Sequence, residues 1–286
     1  MCAMMESILV AVDNSHVSHS AFKQALALAA SMRAQLVVVS VTPRYEGNMS
    51  RLEIDDADRQ LSAPFRKSLE DAASYAASLG LSIKTVHRTG EPSEEIVRLA
   101  EEEGVELIIL GNTKRSKMEQ VLLGRLRARI IDGSPCDVLL VPEMSEIRYG
   151  KILVGINGTP AGMAAGQRAF DLALSYGGEV HAVTAIDVPV DQSLRYGVLK
   201  DARHKGFKAL EAVARQGEQL GVQVITELQE ASPEKCLTGY TQEKGMQHIV
   251  LGSKGYSSVG DILLGSVVER VAALATCPVQ VVKMNS

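Results

Sequence analysis

Cysteine is sparse in this chain and shows no paired pattern. Cys2, Cys136, Cys236 and Cys277 form no C-x-x-C pair. That argues against a disulfide scaffold or a thiolate zinc site and suits a reducing, cytoplasmic setting. Long apolar runs are also missing: none approaches the roughly 18 residues needed to span a bilayer. The opening MCAMMESILVAV carries no basic leader, and its apolar part reads as a buried strand rather than a signal peptide. No charge of one sign dominates, the net being −4, so no global pull toward nucleic acid or anionic membrane follows. Several chemical signatures are absent too. There is no G-x-x-x-x-G-K-[ST] loop, no G-x-G-x-x-G fingerprint, no G-x-S-x-G elbow and no metal-ligand motif.

What is present is written twice. The 286 residues, 46% of them hydrophobic, are enough for two cores of ordinary size. SILVAVDNS (7–15) matches KILVGINGT (151–159), and Asp13 to Val41 aligns without a gap onto Asn157 to Ala185. Further on, GEPSEEIVRLAEEEGVELIILG (90–111) matches ASPEKCLTGYTQEKGMQHIVLG (231–252), and SPCDVLLV (134–141) matches ATCPVQVV (275–282). The offset falls from 144 to 141, so the first copy carries three more residues between its second strand and Pro92. Two copies indicate a duplicated domain rather than a solenoid. We place the domains at 1–143 and 144–286.

Each copy alternates apolar runs with amphipathic stretches. In the first, ILVAV (8–12), LVVVSV (36–41), SIKTVH (82–87), ELIIL (106–110) and DVLLV (137–141) read as strands. They are rich in β-branched residues and nearly continuous in apolar character, as in a parallel sheet covered on both faces. ILVGI, EVHAVTAI, VQVITEL, HIVLG and PVQVV repeat the series. Between the strands, Ala21, Phe22, Ala25, Leu26 and Ala29 recur at helical spacing. Pro92 suits a first helical position, and Glu94 and Glu95 suit a first turn. The sequence therefore predicts an α/β fold: two tandem doubly wound five-stranded parallel-sheet domains, each with strand order 3-2-1-4-5. Winding reverses between strands 1 and 4, and ligands of open α/β sheets bind beyond the carboxyl ends there. Strand 1 ends at Asp13 and Asn157, and strand 4 at Gly111 and Gly252.

A glycine-rich stretch starts at that point in the second copy: GSKGYSSVGDILLGS (252–266). Glycines allow positive φ and close backbone approach to an anion, and a helix opening near Gly265 offers free N–H groups. A phosphate cradle and a set of turn glycines are both compatible with the spacing. The first copy reads GNTKRSKMEQVLLGR (111–125), with Lys114 in place of Gly255 and Arg125 in place of Ser266.

The pattern G-x2-G-x9-G-[ST] after strand 4, with an acid closing strand 1, resembles the universal stress protein family over nearly the whole chain, twice. The resemblance implies an adenine nucleotide alpha-hydrolase-like fold and a bound ATP or AMP, with Mg2+ as an optional companion ion. It implies a nucleotide site in the second domain at Asn157, Thr159, Ala185, Gly252, Ser253, Gly255, Gly265, Ser266 and Val267. Asn157 departs from the family's acid. An amide accepts a hydrogen bond but also donates one. Ala231 departs from a glycine that the first copy keeps as Gly90. In the first domain, Asp13, Ser15, Val41, Gly111 and Gly124 fit the family. Lys114 and Arg125 damage the loop there, unless they bind an anion directly as charged donors.

The functional expectation is a regulatory, stress-response protein that binds its nucleotide mainly in the second domain. A slow ATPase or phosphotransferase and a non-binding scaffold are the alternatives. No catalytic residue is assigned, because no general base with a matching acid and no arginine finger stands out beside the loop. No metal site is assigned either. The resemblance also implies an intrachain pseudo-dimer of the two domains through their last strands, joined by PEMSEIRYG (142–150), and leaves room for a homodimer. The six basic residues of Lys114–Arg129 read as a solvated face, with no interleaved aromatics for nucleic acid. His16 and His19 read as exposed residues, Cys136 and Cys277 as buried apolar ones. EIDDAD (53–58) reads as a loop.

Overall fold

The computed structural model describes residues 5–44, 57–112, 117–188, 197–253 and 266–284. Contacts divide the chain into two compact units, with the division between Met144 and Ser145. The first contains β1 (Ser7–Ala11), α1 (His16–Met32), β2 (Gln35–Pro43), α2 (Ala57–Ser78), β3 (Lys84–Gly90), α3 (Pro92–Glu102), β4 (Leu107–Asn112), α4 (Lys117–Gly133) and β5 (Asp137–Pro142). Its strands run in the order β3-β2-β1-β4-β5, and neighbours pair in parallel. The second contains β6 (Lys151–Gly155), α5 (Pro160–Tyr176), β7 (Glu179–Ala185), α6 (Val198–Leu220), β8 (Val224–Gln229), α7 (Pro233–Lys244), β9 (His248–Gly252), α8 (Ser266–Leu274) and β10 (Val279–Val282). Its order is β8-β7-β6-β9-β10, again parallel. The 3-2-1-4-5 order expected from the sequence holds in each unit.

The strands that read as continuous apolar runs are the central ones. Ile8, Leu9 and Val10 of β1 and Ile108 and Ile109 of β4 are completely buried. The predicted stripe of α1, Ala21, Phe22, Ala25, Leu26 and Ala29, is buried against the sheet. Right-handed crossovers put α1 and α2 on one face and α3 and α4 on the other, and each pair is in contact. The third strand of each unit lies at a sheet edge and is only partly covered. Polar residues interrupt both, so the sequence pattern set their limits poorly. β3 runs from Lys84 to Gly90, two to three residues later than expected.

Helix starts follow the sequence chemistry. α3 opens on Pro92 with Glu94 and Glu95 in its first turn. Of EIDDAD, Ala57 and Asp58 belong to α2 and the rest lies outside the described residues.

Candidate functional site

Both units build the same bracket at the carboxyl end of the first strand. In the first, Asp13 Oδ1 accepts from the Ser15 backbone N–H at 2.9 Å and from the Ser15 hydroxyl at 2.5 Å. Ser15 Oγ in turn accepts from the Ser18 N–H at 3.2 Å, which caps α1. Ser18 Oγ donates to the Asp13 carbonyl at 3.0 Å. Burial pushes the Asp13 carboxyl up, but the hydrogen bonds from Ser15 and Ser18 and the nearby His19 outweigh it and hold the carboxyl below its usual value. In the second, Asn157 Oδ1 accepts from the Thr159 N–H at 3.1 Å and from its hydroxyl at 2.7 Å, and Thr159 Oγ1 caps α5 by accepting from the Gly162 N–H at 3.1 Å. Asn157 thus replaces an acid without loss of the bracket, because the bracket uses only an acceptor oxygen.

Gly111, next to last in β4, and Gly252, last in β9, sit where a helix passes over the strand. A Cβ on Gly111 would lie 2.9 Å from Val17 Cγ1 and 3.0 Å from the Val17 carbonyl oxygen. On Gly252 it would lie 2.5 Å from the Ala161 carbonyl oxygen. Gly252 is therefore required by packing of α5 on β9, whatever ligand it also meets.

A cavity of about 420 Å³ opens at these carboxyl ends in the first unit, within the size range of small-ligand sites. Asp13, Ser15, Val41 and Gly111 all line it. Gly124 falls inside α4. The lining residues that the sequence reading did not name include Phe65 of α2 and Arg127 of α4. Arg127 is half-buried, and its guanidinium donates to Asn112 Oδ1. This corrects the expectation of a solvated face for Lys114–Arg129. Arg125 and Arg129 are exposed, but Arg127 turns inward. The six-residue basic count concealed it; the alternation Arg125, Arg127, Arg129 on a helix was the signal that one must face the sheet.

In the second unit, Asn157, Thr159, Gly252 and Ser253 lie at the corresponding strand ends. Ala185 closes β7, and Ser266 and Val267 open α8. Gly255, Gly265 and Lys114 lie outside the described residues. His16 is exposed, while His19 is half-buried with Nδ1 2.9 Å from the Ser15 carbonyl oxygen. Cys136 is half-buried and Cys277 buried, and burial raises their thiols to about 11 and about 12. Among the described residues no group of His, Cys, Asp or Glu is placed to hold a metal ion, and no helix is long and apolar enough to cross a membrane.

The model of the universal stress protein family matches residues 4–142 and, a second time, 148–283. The chain belongs to the universal stress protein family. A universal stress protein of Methanocaldococcus jannaschii is 33% identical over 141 residues, covering 47% of this chain and 82% of its own. Universal stress protein YxiE of Bacillus subtilis is 31% identical over 147 residues, 48% of this chain and 99% of its own. Each of these universal stress proteins corresponds to about half of the chain. A solved universal stress protein from Archaeoglobus fulgidus superposes with a TM-score of 0.74 at 20% identity, covering 97% of this chain and 96% of that one; this likeness is one of fold.

Proposed function

We propose that this tandem universal stress protein binds an adenine nucleotide, ATP or AMP, and that occupancy regulates its engagement in a stress response. The main site is the second unit, where Asn157, Thr159, Ala185, Gly252, Ser253 and Val267 join the sequence cradle Gly255, Gly265 and Ser266. The observation that supports this reading is the coincidence of two independent features. The G-x2-G-x9-G-S stretch begins at Gly252, the end of β9, which pairs with β6 immediately before the Asn157–Thr159 bracket. That is the crevice where α/β sheets bind ligands. Glycine backbone and the first turn of α8 would hold phosphates there, and the cavity of the first unit supports a ligand at the equivalent crevice.

Family resemblance adds pairing of the two units within one chain, optional Mg2+ with ATP and a cytoplasmic location. Equilibrium titration with ATP and AMP tests the reading. Gly255→Lys, which copies the first unit's Lys114, is expected to weaken ATP binding at least tenfold. Unchanged affinity removes the glycine loop as the phosphate site. Single-turnover hydrolysis far above background that disappears in Ser266→Ala would replace regulation by catalysis.

A further inference from the structure

Helix α6 carries its charge at the end that costs a helix most. Acids stabilise a helix near its N-terminus and cations near its C-terminus. From Val198 to Lys208, α6 holds Lys200, Arg203, Lys205 and Lys208 against one acid, Asp201, and its last turn holds no basic residue. All four cations are exposed. Arg203 is paired with Glu230, whereas Lys200, Lys205 and Lys208 have no ion pair among the described residues. Glu227 of β8 acts on Cys236 and Tyr240 of α7, on the other face of the sheet. Amid these cations stands Phe207, 59% exposed and the most exposed aromatic side chain among the described residues. Lys200, Arg203 and His204 lie on its side of the helix, one and two turns back. The repeat turns its aromatic in opposite directions in the two units. The left-handed glycines that follow the two helices, Gly80 and Gly221, set the alignment, so Phe65 answers to Gly206 and Arg66 to Phe207. Phe65 lines the first unit's cavity. Gly206 is buried, and a Cβ there would lie 3.0 Å from Leu228 Cδ1. The second unit thus has no room inward and presents a phenyl ring outward. Such a ring, set among long ammonium stems, matches the boundary of an anionic bilayer. The ring enters the acyl boundary and the lysines reach the phosphates. A nucleic acid calls for further aromatics or free guanidinium forks, and Arg203 is engaged by Glu230. The net charge of −4 gives no long-range pull, but the patch acts within a Debye length, about 8 Å.

We propose that the N-terminal half of α6 is a docking face for an anionic phospholipid surface, with Phe207 as the inserting anchor and Lys200, Lys205 and Lys208 as the headgroup contacts. The contact is peripheral and reversible, each lysine contributing about fivefold in affinity near such a surface. It is independent of the nucleotide reading, because it uses only exposed side chains of α6.

The chain contains no tryptophan, so Phe207→Trp reports on this face alone. The full chain carrying it is titrated with vesicles of phosphatidylcholine and with vesicles of phosphatidylcholine and phosphatidylglycerol in equal parts. The expected result is a blue shift of emission and at least tenfold tighter binding to the anionic vesicles, reversed at roughly 0.5 M salt. In co-sedimentation with the same vesicles, Phe207→Ser weakens the unsubstituted chain at least fivefold. Lys200→Ser with Lys208→Ser weakens it at least tenfold. Arg59→Ser with Lys67→Ser, the same two positions in the first unit, removes equal charge and leaves binding unchanged. Equal binding to the two kinds of vesicle, or binding to neither, overturns the proposal. So does an equal loss in the two double variants, which would make total charge the cause. Vesicle binding without an emission shift overturns the anchor role of Phe207. A duplex oligonucleotide that shifts the tryptophan as the vesicles do would assign the face to nucleic acid instead, and displacement of the vesicles by glycerol phosphate would make it a site for free phosphate.

Discussion

Gly90 and Ala231 occupy the same place in the repeat, and each is matched to the residue five positions later. A Cβ on Gly90 would lie 2.6 Å from Glu95 Oε1 and 2.8 Å from its Cγ. The second unit has Cys236 at the position of Glu95 and tolerates alanine. The glycine therefore makes room for a buried carboxylate paired with Arg98, a packing reason that needs no ligand. Gly90→Ala is expected to cost about 1–3 kcal/mol by overpacking, and Glu95→Cys to relieve most of that. Denaturant midpoints of the two single variants and the double variant measure the coupling; strictly additive costs would sink this account. His248 is a second case. It is fully buried, Nε2 lies 3.2 Å from Gln280 Oε1, and Nδ1 has no hydrogen-bond partner among the described residues. Tyr149 packs on its ring. Burial lowers its pKa from 6.5 to about 4. A histidine kept neutral by folding takes up its proton more readily when unfolded. Its stabilising contribution is therefore complete above pH 6.5 and is lost as pH falls toward 4, by on the order of 3 kcal/mol. His248→Gln should remove that part of the pH dependence in denaturation between pH 7 and 4.5. An equal loss in the variant contradicts the assignment.

At the scale of elements, helix ends are where the two copies diverge without consequence for the fold. α1 and α5 each end in a residue with left-handed backbone, Arg33 at φ 59° and Gly177 at φ 71°. A side chain is disfavoured there by about 1 kcal/mol, so Arg33→Gly should stabilise the first unit by up to about that amount, read as a higher denaturant midpoint. A lower midpoint would show that Arg33 makes compensating contacts. The N-termini are capped alike by Ser15 and Thr159. Each change to alanine is expected to cost about 1 kcal/mol, as measured by the same midpoints, with Thr159→Ala at least as costly because its hydroxyl is buried. The helix–strand contacts grade similarly. Gly252→Ala should destabilise more than Gly111→Ala, since its Cβ would meet backbone at 2.5 Å rather than 3.0 Å. The phosphate role of the loop is thus better tested at Gly255 than at Gly252.

At the scale of the whole molecule, each unit has its own five parallel strands and its own buried apolar residues, so each is expected to fold alone. Fragments 1–144 and 145–286 should both give cooperative unfolding by circular dichroism. The start of the second fragment matters. Tyr149 precedes β6 but is buried, stacked on Tyr176 at 4.4 Å and tilted against His248 at 4.8 Å. The Gly150 N–H also donates to Gln247 Oε1 at 3.1 Å. A fragment that begins at Lys151 should lose about 2–3 kcal/mol relative to 145–286, the worth of one buried large side chain. Equal stability of the two would show that the preceding segment is a linker throughout.

The duplication, the ten strands of the described residues, their order and the first unit's crevice at strands 1 and 4 were all legible in the sequence. Parallel β/α winding is local and right-handed, so runs such as ILVAV and ELIIL carry their neighbours with them. The limits of β3 were not legible, because an edge strand is half-exposed and its pattern is mixed. Side-chain direction was not legible either. Arg125, Arg127 and Arg129 are alike as letters, and only the rotation of α4 against β4 decides that Arg127 meets Asn112. The packing that Glu95 imposes on Gly90 and Ala161 on Gly252 was not legible either, and His248 meets Gln280 only through the pairing of β9 with β10. Periodic burial along the chain determined the fold; contacts between residues distant in the chain, fixed by packing, decided which charges and glycines face the candidate sites.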